Sequence, residues 1–192
     1  MTDSTRRTRG LRHGPRGAQV VEKVRAATLA ELARAGFAGL TIDGVAKAAG
    51  VNRTTIYRRW PSKAALLAAM VEPVLERYDT DPDTGSVQQD LLALLLMIRD
   101  NTALPEGLAL TEAVVASGGE LHDLMRTTID RAMAPFHRAL ERAVARGEMS
   151  AATDVRMIAY LAFHGVVMWE PTHESPPSDL DCARIARTVL GR

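Results

Sequence analysis

The sequence has little of several residue types, and each shortage excludes a class of protein. Cys182 is the single cysteine among 192 residues, which excludes an intrachain disulfide and a multi-cysteine metal site and fits a reducing cytoplasm. Aromatic residues make up only 4% of the chain. Ala, Leu and Val recur at spacings of three and four, a pattern that favours helices over a sandwich or a barrel. We therefore predict an all-α fold.

The sequence also lacks a long apolar run. The longest nearly unbroken one, at 157–169, is shorter than the roughly 20 residues that a membrane helix needs. The polar, Arg-rich start of the chain has no apolar stretch of the kind found in secretory signals. We expect a cytoplasmic protein with no membrane partner.

Charge is present in quantity but is divided unevenly along the chain. Residues 1–70 hold 13 Lys and Arg against four Asp and Glu, a net charge of +9, whereas residues 71–192 have a net charge of −8. A basic part joined to an acidic part indicates that only the first meets a polyanion. Ordinary charge scatter is the alternative interpretation.

These patterns divide the chain into three parts. Residues 1–17 carry five arginines among Gly, Ser, Thr and Pro, the composition of a disordered basic arm that a partner orders. Residues 18–70 contain the signals of short helices and form a first, basic helical domain. The turn-rich sequence DTDPDTG follows the helix that leads out of it. Residues 71–192 form a second helical domain.

Two short helices around one glycine predict a helix-turn-helix. Thr41 can cap the first of them, which ends at Gly50, and Asn52 can cap the second. In that second helix Ile56 and Trp60 share the inner face, so its basic and hydroxyl side chains are left facing outward. We therefore expect this helix to be the one that enters the DNA major groove.

Longer helices flank this motif. One, over about 18–35, ends at Gly36, and another begins after Ser62 and runs to about residue 78, where it links the two domains. The second domain shows five further helical stretches, the last two capped by Asp154 and Asp179, at about 87–103, 106–117, 120–146, 154–169 and 179–190.

The helix that Asn52 caps, which is the third along the chain, has side chains that suit recognition of a DNA duplex. The Arg53 guanidinium can bond bidentately to O6 and N7 of guanine, and Thr54 and Thr55 offer a hydroxyl and a methyl for a base edge. Tyr57 and Arg59 lie further along the helix, where it leaves the groove floor and meets phosphate.

Lys63 gives an independent indication of an anion. A cation in the first turn of a helix is disfavoured by roughly 0.3 to 1 kcal/mol through the helix dipole, and a bound anion reverses the sign. Together with the free backbone amides that follow Ser62, Lys63 can bind a phosphate. Thr41, at the start of the helix that ends at Gly50, can contribute to a second phosphate site. The alternative is an exposed lysine with no such role.

Residues 24–70 resemble the N-terminal domain of the TetR family of bacterial transcriptional regulators. Two details depart from the commonest version of the pattern, since Trp60 stands where Phe is usual and Gly44 occupies the middle of the second helix. The residues that carry the resemblance are Gly36-Phe37, Thr41-Ile42, Val45-Ala46, Ala49-Gly50-Val51, Thr55-Ile56-Tyr57 and Pro61-Ser62-Lys63-Ala64-Ala65-Leu66-Leu67.

The resemblance implies a fold, a function and partners. A three-helix DNA-binding domain is joined by a fourth helix to a helical ligand-binding and dimerisation domain. The protein is then a homodimer, built by about 154–170 and 179–190, that binds a palindromic operator, most simply as a repressor, and leaves it when a small-molecule effector binds. The basic arm either reaches the minor groove or is a solubilising tail. The eight candidate DNA contacts are Thr41, Arg53, Thr54, Thr55, Tyr57, Arg58, Arg59 and Lys63.

The second domain has candidates for an effector pocket but none for a cofactor or a metal. Its four histidines, at 122, 137, 164 and 173, do not have the spacing of a metal motif. Met and aromatic residues at helical spacing form a plain core more often than a pocket. The candidate pocket residues are Met97, Met125, Met133, Phe136, Phe163, His164, Met168 and Trp169.

Two other functions compete with a DNA-binding regulator. A helical small-molecule-binding protein or enzyme could carry an incidental DNA-binding domain, but the sequence has no G-x-S-x-G elbow, no P-loop and no dinucleotide glycine fingerprint. We therefore expect no enzymatic activity. A general DNA-coating protein is the third possibility, and it would bind all sequences alike.

Overall fold

The computed structural model describes residues 15–104, 107 and 122–191, and over these residues the chain is helical without a strand. The basic arm and the predicted helix at 106–117 lie wholly or largely outside this range. The helices are α1 (Pro15–Gly39), α2 (Ile42–Ala49), α3 (Arg53–Arg59), α4 (Lys63–Leu75), a 3-10 turn at Glu76–Tyr78, α5 (Val87–Thr102), α6 (His122–Ala145), α7 (Val155–Val167), α8 (Glu170–His173) and α9 (Asp179–Val189).

Local sequence signals set the starts of α2, α3 and α4, as predicted, whereas α1 spans Pro15–Gly39 and not the predicted 18–35. Thr41, Asn52 and Ser62 each cap a helix, because each side-chain oxygen accepts a hydrogen bond of 2.9 to 3.0 Å from a backbone amide two or three residues later. Gly50 ends α2 with a φ of 63°, and Gly36 breaks the helical geometry of α1 with the same φ. Both glycines adopt the left-handed conformation that other residues avoid.

The described residues form two hydrophobic cores, one N-terminal and one C-terminal. The N-terminal core surrounds the fully buried Ile56 of α3, and the C-terminal core surrounds the fully buried Phe136 of α6. Helix α4 belongs to both, since its first half contributes Leu66, Leu67 and Met70 to the N-terminal core and its second half contributes Val71, Val74 and Leu75 to the C-terminal one. Helix α4 therefore connects the two cores.

Two boundaries in the C-terminal part differ from the predictions. The cap of α9 is Ser178 and not Asp179, because the Ser178 hydroxyl accepts from the Asp181 amide while the Asp181 carboxylate accepts from the Ser178 amide. The segment between the predicted helical stretches 154–169 and 179–190 contains the short helix α8. Pro171 lies in the first turn of α8, where a helix tolerates proline.

The described ranges contain no helix that is long and apolar enough to cross a membrane. Cys182 lies on α9 with its side chain in the C-terminal core, where burial raises the pKa of its thiol. Cys182 is thus packed as a small core residue.

Candidate nucleic-acid interface

The outward face of α3 is polar and basic. Arg53, Thr54, Tyr57 and Arg58 are exposed, while Ile56 is fully buried and holds the helix on the N-terminal core. Tyr57 leaves 46% of its surface open although it is a large aromatic residue. Because the buried and exposed residues alternate with helical periodicity, α3 presents its donors on one side, as a recognition helix must.

Arg53 makes an ion pair across the helix-turn-helix. Its Nη1 lies 3.5 Å from Oδ2 of Asp43 in the first turn of α2, and the two side chains remain 69% and 61% exposed. The guanidinium therefore stays open to a ligand while its position is biased by a carboxylate.

Lys63 lies at the start of α4, but its ammonium turns toward the end of α1. Its Nζ donates a hydrogen bond of 2.6 Å to the carbonyl oxygen of Phe37 and lies 4.0 Å from the centre of the Phe37 ring. An ammonium has three donors, so Lys63 can hold this carbonyl and bond a phosphate oxygen at the same time.

Arg59 differs from the exposed residues of α3 because its guanidinium turns toward the start of α1. Its Nη1 donates to the carbonyl oxygen of Gly17 at 3.4 Å, and its guanidinium carbon lies 6.0 Å from the centre of the Trp60 ring. Both Arg59 and Trp60 are half-buried. This arrangement ties the end of α3 to α1 and leaves Arg59 with fewer free donors than Arg58.

The start of α2 explains the unusual glycine at position 44. A Cβ there would lie 2.9 Å from Oγ1 of Thr41 and 3.3 Å from Oε2 of Glu31. The Thr41 hydroxyl accepts from the Gly44 amide and keeps its own hydrogen for another acceptor. Gly44 thus leaves space for the capping hydroxyl of Thr41 and for the carboxylate of Glu31 from α1. The low helix propensity of glycine does not by itself predict this role.

Sequence reasoning missed a group of ion pairs, here named the ionic strap, that fixes the segment after α4 against α6. Its distances are 2.6 Å for Arg131 with Asp79, 3.4 Å for Arg138 with Asp81, 2.9 Å for Arg142 with Asp81 and 3.1 Å for Arg146 with Asp83. The sequence contained a signal for these ion pairs: aspartate occurs at every second position from 79 to 83, and arginines recur on one side of α6.

Hydrogen bonds reinforce the ionic strap at both ends. Arg131 also pairs with Glu72 of α4 at 2.6 Å. The fully buried Asp90 of α5 accepts from both the amide and the hydroxyl of Thr84 at 2.7 Å. Hydrogen bonding to Arg131 lowers the pKa of Asp79. The link between the domains is therefore a fixed connection and not a loose loop.

The candidate pocket residues lie at different depths. Phe136 and Phe163 are buried and meet edge to face, with ring centres 6.2 Å apart, and Met133 is also buried. Met168 is 46% exposed. Met97, His164 and Trp169 are half-buried, and the side chain of Met125 lies outside the described set. Their common role in an effector pocket stays a prediction.

The outer face of α7 and α9 is apolar and uncovered. Met157, Tyr160 and Leu161 of α7 are each at least half exposed, and Leu180 of α9 is 65% exposed. A groove between these helices is lined by Leu161, Gly165, Trp169, Asp181, Arg184, Ile185, Thr188 and Val189. We call this surface the α7–α9 face. Exposed apolar patches of this kind mark interaction sites.

No group of three His, Cys, Asp or Glu residues that could hold a metal occurs among the described residues. Charged and hydroxyl donors lie on α3 and at the starts of α2 and α4. Groups of these types bind phosphates and base edges in protein–DNA complexes.

Two family models match the two domains. Residues 24–70 match the model described as bacterial regulatory proteins, tetR family, and residues 81–189 match the model described as tetracyclin repressor-like, C-terminal domain. The second match alone covers more than half of the chain.

Relatives cover nearly the same span. The chain is 32% identical to the HTH-type transcriptional regulator AqdR of Rhodococcus erythropolis, over 85% of this chain and 80% of that protein. It is 33% identical to the DNA-binding transcriptional repressor TetR of Mycobacteroides abscessus, over 86% and 88% of the two chains.

A solved structure shares the fold. The transcriptional regulator FadR of Bacillus subtilis, crystallised in complex with stearoyl-CoA, superposes with a TM-score of 0.67 at 17% identity and covers 88% of this chain and 95% of that one. With both domains matched and full-length relatives that are regulators and not enzymes, the chain belongs to the TetR family as a transcriptional regulator with a helix-turn-helix DNA-binding domain.

Proposed function

We propose that this regulator is a repressor that binds a palindromic operator as a homodimer and leaves it when a small-molecule effector binds. One observation carries the proposal: the chain has an outward basic helix in one domain and an uncovered apolar face in the other. The first suits DNA, and the second suits another copy of the chain.

On the DNA side, the roles follow from exposure and position. Arg53, Thr54 and Thr55 occupy the first turn of α3 and would reach base edges, because a recognition helix reads bases with its N-terminal residues. Phosphate contacts would come from residues at the margins of this surface, namely Thr41, Tyr57, Arg58, Arg59 and Lys63.

On the dimer side, the α7–α9 face would cover the same face of a second copy. A two-fold axis makes such an interface self-complementary, so each exposed apolar residue is buried in both chains at once. The same axis presents two copies of α3 to one side of the duplex, where half-sites about 34 to 36 Å apart fit one DNA turn.

Effector release would act through α4. An effector held in the C-terminal domain near Met97, Met125, Met133, Phe136, His164, Met168 and Trp169 would shift the core to which the second half of α4 belongs. The first half of α4 would move the DNA-binding domain with it. A repressor among the relatives and an acyl-CoA complex of the same fold support this mode of regulation.

Selection from random duplex DNA tests the proposal. The full-length chain should enrich one sequence composed of two inverted half-sites with centres about one helical turn apart. Recovery of a single, asymmetric half-site would contradict dimeric binding, and recovery of no preferred sequence would contradict the regulator's proposed operator altogether.

A further inference from the structure

Asp43 is an acidic residue in the middle of a surface that is otherwise basic. Between residues 41 and 63 it is the only Asp or Glu, against five Lys and Arg. A carboxylate so close to DNA repels phosphate and weakens binding to every sequence. Exposed ion pairs contribute little to folding stability, so the pair with Arg53 is poorly explained as a structural element.

The geometry links Asp43 to the residue expected to read a base. Its Oδ2 lies 3.5 Å from Nη1 of Arg53, across the turn between α2 and α3. Arginine has five N–H donors in a rigid fork, and guanine takes two of them. The Arg53 fork can therefore bond the carboxylate with one edge and a guanine with the other.

We infer that Asp43 is a positioning residue that sets base specificity by holding the Arg53 guanidinium in the orientation that bonds guanine. This inference rests on the proposed contact between Arg53 and a base edge. Without the carboxylate, Arg53 keeps its charge but gains freedom to bond a phosphate or another base, so binding persists while discrimination falls.

Base preference measured on the selected operator tests this inference. Wild-type protein, Asp43→Asn, Arg53→Ala and the double variant are each assayed against the operator, against random DNA, and against operators with every guanine replaced in turn. Asp123→Asn is the matched control, because it makes the same charge change at a 94% exposed side chain on α6.

The expected pattern has three parts. Arg53→Ala removes the preference for guanine at one position of the operator. For a bidentate contact, this preference is a ratio of affinities of roughly 5- to 150-fold over the other bases. Asp43→Asn lowers preference at that same guanine by at least threefold while raising affinity for random DNA, and Asp123→Asn does neither. In the Arg53→Ala background, Asp43→Asn leaves base preference unchanged.

Other patterns overturn the inference. If Asp43→Asn changes affinity for all sequences by one factor, or only lowers the melting temperature, Asp43 is a repelling charge or a helix-dipole residue of α2 and not a positioning residue. If Arg53→Ala relaxes no position, the proposed role of Arg53 fails and this inference fails with it. Wild-type protein without any base preference would instead contradict the proposed function itself.

Discussion

At the scale of single residues, the candidate interface combines exposed groups with half-buried groups that already serve the fold. Arg53 and Tyr57 project from α3, whereas the Lys63 ammonium holds the Phe37 carbonyl and the Arg59 guanidinium holds the Gly17 carbonyl. Substitutions in the second group should therefore change folding stability as well as the proposed DNA contacts, and the two effects have to be measured separately.

Lys63→Ala should weaken binding to all sequences by a similar factor. The slope of log affinity against log salt should become shallower by about 0.9 for each phosphate that the variant no longer neutralises. The melting temperature should also fall modestly, because the Phe37 carbonyl loses a charged donor. Fluorescence anisotropy with several duplexes over a salt series measures the first effect. Arg126→Ala, an exposed change on α6, is the control, and a Lys63 variant with an unchanged slope would exclude the phosphate contact.

Gly44→Ala should not stabilise the DNA-binding domain. Alanine usually gains about 0.5 to 1 kcal/mol over glycine inside a helix. Here its Cβ would lie 2.9 Å from the Thr41 hydroxyl and disturb the cap of α2, and caps contribute about 1 kcal/mol. Thermal unfolding followed by circular dichroism is the measurement, and Ala48→Gly reports the ordinary propensity effect on the exposed side of α2. A higher melting temperature for Gly44→Ala would show that the cap tolerates the methyl group.

At the scale of elements, signals contained in a few consecutive residues predicted the structure well. The caps at Thr41, Asn52 and Ser62 and the stop at Gly50 follow from local hydrogen bonding, which sequence displays directly. The sequence did not identify Ser178 as the cap of α9, because Asp179 beside it is an equally good capping residue by type. Only the two reciprocal hydrogen bonds between Ser178 and Asp181 decide between them.

Features that depend on distant segments were not predictable in the same way. The ionic strap needs α6 to lie beside residues 79–83, more than 50 positions away in the chain, and neither half alone indicates a partner. The depth of the Met and aromatic residues depends on how α5, α6 and α7 pack. Candidate pocket residues can therefore be fully buried, like Phe136 of α6, or half exposed, like Met168 at the end of α7.

The ionic strap should stabilise the protein at neutral pH, and this stabilisation should be lost in acid. The pKa values of Asp79 and Asp81 are lowered by hydrogen bonds from Arg131 and Arg142, so the unfolded chain binds protons more readily than the folded one. Their stabilisation is then complete above the ordinary pKa of 3.8 and is lost as pH falls through the lower folded-state values.

Arg131→Gln tests this contribution of the ionic strap. The urea midpoint of the variant should lie below that of the wild type at pH 7, and the difference should shrink toward pH 2 and in high salt. Arg126→Gln on the same helix should show no such pH-dependent difference. A deficit of Arg131→Gln that persists unchanged at pH 2 would mean that packing, and not charge, holds the segment.

At the scale of the whole molecule, two cores share one helix and two surfaces have different chemistry. The positive charge lies in the first 70 residues and the apolar α7–α9 face lies in the second domain. Because α4 belongs to both cores, the distance between the two DNA-binding domains of the proposed dimer would depend on how the C-terminal cores pack.

Leu161→Glu should separate the proposed dimer. Leu161 is half exposed and lines the groove of the α7–α9 face, so a charge there would be buried without a partner in the proposed dimer and solvated in the monomer. Light scattering during size-exclusion chromatography should give twice the chain mass for the wild type and a shift toward the monomer for the variant. Ala145→Glu, exposed at the end of α6, should stay dimeric. An unchanged mass for Leu161→Glu would place the interface elsewhere.

The central claim is that this protein recognises a DNA sequence through α3, and the ratio of affinities for the selected operator and for random DNA measures it most directly. The wild type should bind the operator about 10³-fold or more tightly than random DNA. The triple variant Arg53→Ala, Tyr57→Ala and Lys63→Ala should lose nearly all of that ratio while remaining folded and dimeric. A triple variant that keeps the wild-type ratio would contradict the account.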